Sequence, residues 1–241
     1  MKQFVKSLMS CTPYRIVRDR GANRFQAIET CLQSLKARGY DPTVVIDGGA
    51  HLGSFTSSVR QIFPHASFHL IEPQPTCSTR LTQFCAENGF IFHQCALADN
   101  TGTVPLSRTT SPSTGAHIKP EPDAETEQVT AARLDDLFSS LRENARALLK
   151  LDLQGYELHA LQGGTRLLRA GSIEVILCEV SFYAQAYEPS IATLTQFLHE
   201  HGFGLHDIAS LAGRARDNRC HQGDFLFVRS ESDLAKDKRW D

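Results

Sequence analysis

The sequence predicts an α/β domain built on a mostly parallel sheet with helices on both faces. Three observations lead there. From residue 43 onward, apolar strand-like runs alternate with helical stretches. Val44–Ile46 and Val175–Leu177 are apolar without alternation, as strands covered on both faces are. A chain of 241 residues with 41% hydrophobic content is long enough for one well-filled core.

In chain order, residues 1–42 form a helical cap, because Phe25, Ile28, Leu32 and Leu35 recur at spacings of three and four. Gly39 ends that pattern and Asp41-Pro42 turns the chain into the domain proper, residues 43–230. Its strands are expected at 44–46, 67–71, 90–97, 147–152, 173–180, 203–208 and 224–228, seven in all. Helices fall near 53–62, 76–88, 156–169 and 189–201. The break lies between residues 99 and 134. There Thr103–Leu106 and Gln128–Ala131 can pair as an added hairpin around a polar loop from Ser107 to Thr126. A stretch of that length is a lid, a binding loop or disordered. Residues 231–241 read as a charged, frayed tail.

Composition excludes several classes. A net charge of -2 and a pI near 6.5 leave no basic footprint for nucleic acid. No apolar run reaches the roughly 20 residues of a membrane span, and the first residues lack a signal-peptide core. A cytoplasmic protein is expected. The seven cysteines are odd in number and none is in C-x-x-C spacing, so neither a disulfide framework nor a thiolate metal site is indicated. Cys95 and Cys178 lie in apolar runs, where a thiol packs as a small hydrophobe.

The functional signal is Val44-Val45-Ile46-Asp47-Gly48-Gly49-Ala50-His51-Leu52-Gly53, a buried strand ending in an acid and a glycine turn that opens a helix. Such a turn lets backbone approach a ligand beyond the carboxyl ends of the strands. Glu72 ends the next apolar strand, where a carboxylate can take both hydroxyls of a ribose. Asp47 suits the cationic S-adenosylmethionine and would repel a pyrophosphate. Its other reading is a turn or N-cap residue, and that of Glu72 is a surface acid before Pro73.

With these features the chain resembles the FkbM-type methyltransferases. The matching residues are Asp47–Thr56, Ile71-Glu72-Pro73-Gln74-Pro75, Cys95–Asp99, Ala132–Leu137, Leu149–Glu157 leading to Leu161–Gly164, and Cys178-Glu179-Val180. The block from Lys150 to Glu157 is the most specific. The resemblance implies a class I, Rossmann-like fold and methyl transfer from S-adenosylmethionine to a hydroxyl of a sugar, polyketide or other small natural product. It implies that Asp47, Gly49 and Gly53 surround the methionine part, with Ala50, His51, Ser54 and Phe55 in the same turn. Glu72, followed by Pro73, would hold the ribose, and Cys95, Ala96 and Leu97 would border the adenine. Asp152 would stand beside the reacting centre. His51 departs from the family's usual Asn, and Cys95 from a frequent polar residue.

A hydroxyl acceptor needs alignment and a base. Asp152 is the first candidate, with Lys150 and Gln154 on its side of the strand to hold it; the alternative is a cap on the following helix. Glu157 is read as neutralising that helix start or Lys150. Glu179 ends another strand on the same edge and is either a base or a cap. His117, in the polar loop, is a base if the loop folds over the site, and otherwise a solvated residue. Asp152, Glu179 and His117 have donor atoms for a divalent metal, but no ligand motif indicates one. Arg108, Lys119 and Arg133 read as attractors of an acidic acceptor or as scattered surface charge. Phe182, Tyr183 and Tyr187 read as a substrate platform or as cover for the sheet edge. The expected partner is a small-molecule hydroxyl acceptor, with neither nucleic acid nor membrane, and a homo-oligomer is left open. The competing functions are an NAD(P)-dependent Rossmann oxidoreductase and a non-catalytic cofactor-binding protein.

Overall fold

The computed structural model describes residues 24–182, 190–213, 217 and 219–236. Ten strands and eight α-helices lie among them. The main sheet takes strands β1 (Val44–Gly48), β2 (Ser67–Ile71), β3 (Ile91–His93), β7 (Ala147–Leu151), β8 (Ile173–Ser181), β9 (Phe203–Gly213) and β10 (Cys220–Arg229). Their order is β3-β2-β1-β7-β8-β10-β9. Every pairing is parallel except the two that β10 makes with β8 and β9. That antiparallel strand departs from a pure Rossmann sheet. Strand order reverses around β1, between β2 and β7, and that is where a crevice opens in such sheets.

Alternation within the buried strands divides their side chains between two cores. Val45, Leu148 and Val175 face one layer, with Ile28, Leu32 and Leu35 of α1 (Arg24–Ala37), Val59 of α2 (Ser54–Ile62) and Leu81 of α3 (Pro75–Asn88). Ile46, Leu149 and Ile176 face the other. There they meet Leu134 of α4 (Leu134–Leu137), Leu161 of α5 (Glu157–Gln162), Leu167 of α6 (Thr165–Arg169) and Leu198 of α7 (Ile191–Glu200). Helix α1 is therefore a layer of the main core, with Phe25 the exception, 49% exposed, and residues 1–23 of the expected cap lie outside the described residues.

Three expected boundaries change. The strand at 90–97 is two strands. β3 ends the main sheet, whereas β4 (Ala96–Leu97) pairs with Ala131 and Ala132 of β6 (Thr126–Ala132) in a second sheet, order β4-β6-β5, with β5 (Gly102–Ser107). The helix at 156–169 breaks at Gly163-Gly164, because a Cβ on Gly163 would stand 2.0 Å from Ala98 O. After the break, Asp135 caps α6 by accepting from the Arg166 and Leu167 amides at 3.1 and 3.0 Å. The tail is not frayed at its start. Leu234, in α8 (Asp233–Lys236), is buried in the first core.

The paired added strands are borne out as β5 and β6. The loop between them is ordered. Ser107 N donates to His117 O at 2.9 Å and Ile118 bridges back to Leu106. No helix among the described residues is long and apolar enough to cross a membrane.

Candidate active site

The loops at the carboxyl ends of β1, β2 and β7 enclose a cavity of about 400 Å³. On one side it is lined by Gly49, Ala50, His51 and Glu72, and on another by Asp152 and Gln154. Gly49 has φ +74, and a Cβ there would lie 2.0 Å from Asp152 O, so only glycine lets the β1 and β7 loops close together. The tight turn also brings the Gly49 and Ala50 amides onto Ile71 O, at 3.0 and 3.1 Å. They are spent on the fold and are not offered to a ligand. His51, at φ 50, directs its own amide to Glu72 Oε2 at 2.8 Å, and Gln74 N donates to Glu72 Oε1 at 3.0 Å. Glu72 is 3% exposed, so its carboxylate is aimed by two backbone amides rather than by another side chain.

The register that pairs Asp47 with Lys150 explains the next feature. Lys150 Nζ donates to Asp47 Oδ1 at 3.0 Å and to Gly49 O at 2.8 Å, while Thr56 Oγ1 donates to Asp47 Oδ2 at 2.7 Å. Asp47 is fully buried and outside the cavity lining. Its expected contact with the methionine part is corrected: Lys150 and Thr56 take up the carboxylate, which braces β1 against β7 and α2. The neutralised pair also removes the argument that Asp47 would repel a pyrophosphate. Gly53 is likewise outside the lining. It precedes α2 in the left-handed conformation, φ 81, and a Cβ would meet the Phe84 ring at 2.9 Å, so its role is close helix packing. Ser54, Phe55, Pro73, Cys95, Ala96 and Leu97 do line the cavity. Burial pushes the Cys95 thiol up to about 11, so it packs as a neutral group.

Asp152 belongs to a cluster of acids. Arg24, the first residue of α1, donates to Asp152 Oδ2 at 2.9 Å and to both Asp224 oxygens at 2.6 and 2.7 Å, and stands 3.1 Å from Glu179 Oε1. Gln154 Nε2 bridges Asp152 Oδ1 and Glu179 Oε2 at 2.8 and 3.2 Å, and Gln222 donates to Glu179 Oε1 at 2.7 Å. Gln154 thus holds Asp152 as expected, whereas Lys150 bonds Asp47 and acts on Asp152 only through its charge. Burial alone would raise Asp152, but Lys150 and Arg24 outweigh it and hold the carboxyl below its usual range. Burial and the Asp152 charge push Glu179 up to about 8. Glu179 lies outside the cavity lining, so it reaches the cavity only through Asp152 and Gln154. As a direct base it is corrected on that ground, since Asp152 carries the same kind of side-chain donors, Gln154 and Arg24, yet lines the cavity.

Glu157, expected to neutralise the helix start or Lys150, instead ties down the loop before α5, accepting from the Leu153 and Gly155 amides at 2.7 and 3.3 Å, and burial raises it to about 7. His117 lines the cavity, with its Nδ1 2.9 Å from Gly115 O in its own loop. Lys119 pairs with Asp123 at 2.7 Å, Arg133 with Asp135 at 3.3 Å, and Arg108 bonds Thr126 O at 3.1 Å, so these cations serve local structure. Phe182 packs edge-on against Phe225, which makes it cover for the sheet; Tyr183 and Tyr187 lie outside the described residues. Among the described residues no group of three His, Cys, Asp or Glu side chains is placed to hold a metal.

The sequence reading missed Arg24, Asp224 and Gln74. Asp224 carried a signal: an acid heading the apolar run Asp224-Phe225-Leu226-Phe227-Val228 has to find a partner when buried. Arg24, 200 positions away, carried none.

The sheet order with its last-placed antiparallel strand, and a crevice with an acid at the end of β2, define the class I methyltransferase fold. The methyltransferase FkbM domain matches residues 47–205, and the chain belongs to that family. Among solved structures, methyltransferase FkbM from Methylobacillus flagellatus KT is similar at 17% identity with a TM-score of 0.52, covering 78% of this chain and 44% of that one. This chain thus spans less than half of that relative. Magnesium protoporphyrin IX methyltransferase from Synechocystis PCC 6803, with bound SAM, shares 14% identity at a TM-score of 0.48, covering 95% of this chain and 97% of that one. A search of curated protein sequences finds no match.

Proposed function

We propose that this chain transfers the methyl group of S-adenosylmethionine to a hydroxyl of a small-molecule acceptor of the sugar or polyketide kind. The observation that carries the reading is Glu72, a buried carboxylate facing the cavity, with one backbone amide on each oxygen. Each oxygen keeps a lone pair, which suits a pair of neighbouring hydroxyls. The residues fit the cofactor in two further respects. Gly49 and Ala50 bring the β1 turn to the cavity wall. His51 Nε2 is buried and has no hydrogen-bond partner among the described residues. Gly49, Ala50, His51 and Glu72 would hold the cofactor, with Ala96 and Leu97 along the adenine.

S-adenosylmethionine, when bound, supplies a methyl group made electrophilic by its sulfonium. The protein's part is alignment and management of a proton. Asp152 stays ionised, fixed by Arg24 and Gln154. It accepts the hydrogen bond of the acceptor hydroxyl, which points an oxygen lone pair into the cavity, and takes the proton as the new C–O bond forms. Burial and the Asp152 charge hold the Glu179 carboxyl well above its usual range, which lessens the negative charge beside Asp152. Helix α1 and the β5–β6 loop wall the cavity.

Isothermal titration with S-adenosylhomocysteine and, separately, NAD tests the cofactor. One-to-one binding of the first alone supports the reading, and binding of NAD alone refutes it. Labelled S-adenosylmethionine with a panel of hydroxylated acceptors then identifies the substrate. On it, Asp152→Asn is expected to keep homocysteine-product affinity and lose about 10²–10⁴ in turnover.

A further inference from the structure

We propose that Gln74 is a latch, holding the tip of the β5–β6 loop closed over the cavity and tying that roof to the Glu72 carboxylate. The inference rests on Glu72 as the ribose-binding acid, and Gln74 is the residue two positions after it. Its side chain is only 4% exposed, although nothing in its place at the start of α3 requires a buried amide. Both polar atoms of the amide are engaged. Nε2 donates to Ser113 O at 3.0 Å, and Oε1 accepts from Ser113 N at 3.0 Å. Thr109 Oγ1 adds a longer contact to Oε1 at 3.5 Å. One side chain thereby copies the paired exchange that a neighbouring strand would make with Ser113.

The loop needs such a fastening. Its returning limb is tied to β5: Ser107 N to His117 O at 2.9 Å, His117 N to Ser107 Oγ at 3.0 Å, and Lys119 N to Pro105 O at 2.9 Å. The tip around Ser113 is tied instead to the start of α3, through Gln74. Ser113, Thr114, Ala116, His117 and Ile118 then line the cavity. The same residue donates its backbone amide to Glu72 Oε1 at 3.0 Å. A ligand that engages Glu72 therefore steadies the residue whose side chain grips the roof. By reciprocity, a closed roof favours the ligand. Gln74 is a positioning residue: it places the roof and the acid without touching the reacting atoms.

Amide hydrogen exchange over residues 108–118 tests this, in wild type, Gln74→Met and Gln74→Glu, with and without S-adenosylhomocysteine. Met keeps the volume and loses both bonds; Glu keeps an acceptor but sets a carboxylate against Ser113 O. In both variants, exchange at Ser113 is expected to quicken about tenfold or more in the unliganded protein, the worth of one or two hydrogen bonds. Exchange at core amides such as Leu149 is expected to stay unchanged, and the dissociation constant for S-adenosylhomocysteine to rise by about fivefold or more. Ser113 exchange within about twofold of wild type in both variants overturns the latch, as does an equal quickening at Leu149, which would mean general loosening. Faster Ser113 exchange with unaltered affinity overturns the coupling to Glu72. If wild type does not bind S-adenosylhomocysteine, the reading of Glu72 fails instead, and the latch is decided by the unliganded exchange rates.

Discussion

Glu72 and Asp152 end neighbouring parts of one sheet and line one cavity, yet they are held in opposite ways. Glu72 is aimed by backbone, through the His51 and Gln74 amides. Asp152 is aimed by side chains, through Arg24 and Gln154, within a group of three acids. Backbone donors are fixed by the fold and carry no net charge, so they present a carboxylate in one fixed direction. A side-chain cluster is adjustable: its members share charge, and a proton on one alters the others. The first arrangement suits recognition of a constant ligand, and the second suits chemistry in which a proton changes hands.

The largest break in this comparison comes from the strut between the two regions. Lys150→Met leaves Asp47 charged and buried with only the Thr56 hydroxyl. Removing one partner of a buried pair costs about 3–5 kcal/mol, so denaturant unfolding should show a loss of that order. Both sites should weaken together, because Lys150 also holds Gly49 O. Glu72→Gln comes next. It keeps the shape but sets an NH₂ group against a backbone amide, so S-adenosylhomocysteine affinity should fall by about 1–3 kcal/mol and folding stability by a similar amount. An unchanged titration would remove Glu72 from the ligand site.

Arg24→Ala breaks the other side and does so according to pH. Arg24 holds Asp152 down and opposes the rise of Glu179. A depressed acid lends stability above its unfolded pKa and withdraws it as pH falls. A raised acid costs stability as pH climbs from its unfolded value to its folded one. Losing Arg24 should therefore cost least as pH falls below 3.8, where Asp152 takes up its proton, more above that value, and most as pH passes 8, where Glu179 ionises. The side chain is 37% exposed, so solvent screening limits the deficit to about 1 kcal/mol, or roughly 2–4 °C in Tm. A deficit that is flat from pH 5 to 9 would separate Arg24 from the acids.

The same contrast explains how much could be read in the sequence. Glu72 and the glycine turn are legible, because Glu72, Gly49 and His51 lie on one local unit, strand–turn–helix then strand, and local patterns carry their spacing with them. Strand periodicity likewise located the sheet. Asp47 and Lys150 were each noticed, but their pairing depends on strand register, which the residues alone did not fix. The Arg24–Asp152–Glu179–Asp224 cluster joins α1, β8, β10 and the loop after β7, and no spacing within any one of them announces it. Gln74 stood inside a recognised motif, yet its use depends on a loop tip 39 positions away. Gly163 shows the reverse case. It was quoted as part of a motif, but the motif hides that the glycine splits a helix to admit the Ala98 carbonyl.

Glu157 sharpens the comparison most finely, being backbone-held like Glu72 but sealed from the cavity lining. Burial lifts it to about 7, against an ordinary value of 4.5. Between those values the unfolded chain releases the proton while the folded protein keeps it, so folding stability should fall as pH rises from 4.5 to 7 and level off beyond. Glu157→Gln keeps an oxygen for the Leu153 and Gly155 amides and removes the titration. Its unfolding free energy, compared with wild type, should gain by about 1–2 kcal/mol between pH 5 and pH 8, part of the shift being offset by the two amide donors. Parallel stability curves for the two proteins across that range would mean that Glu157 is charged when folded, and that two backbone amides suffice to keep a sealed carboxylate ionised.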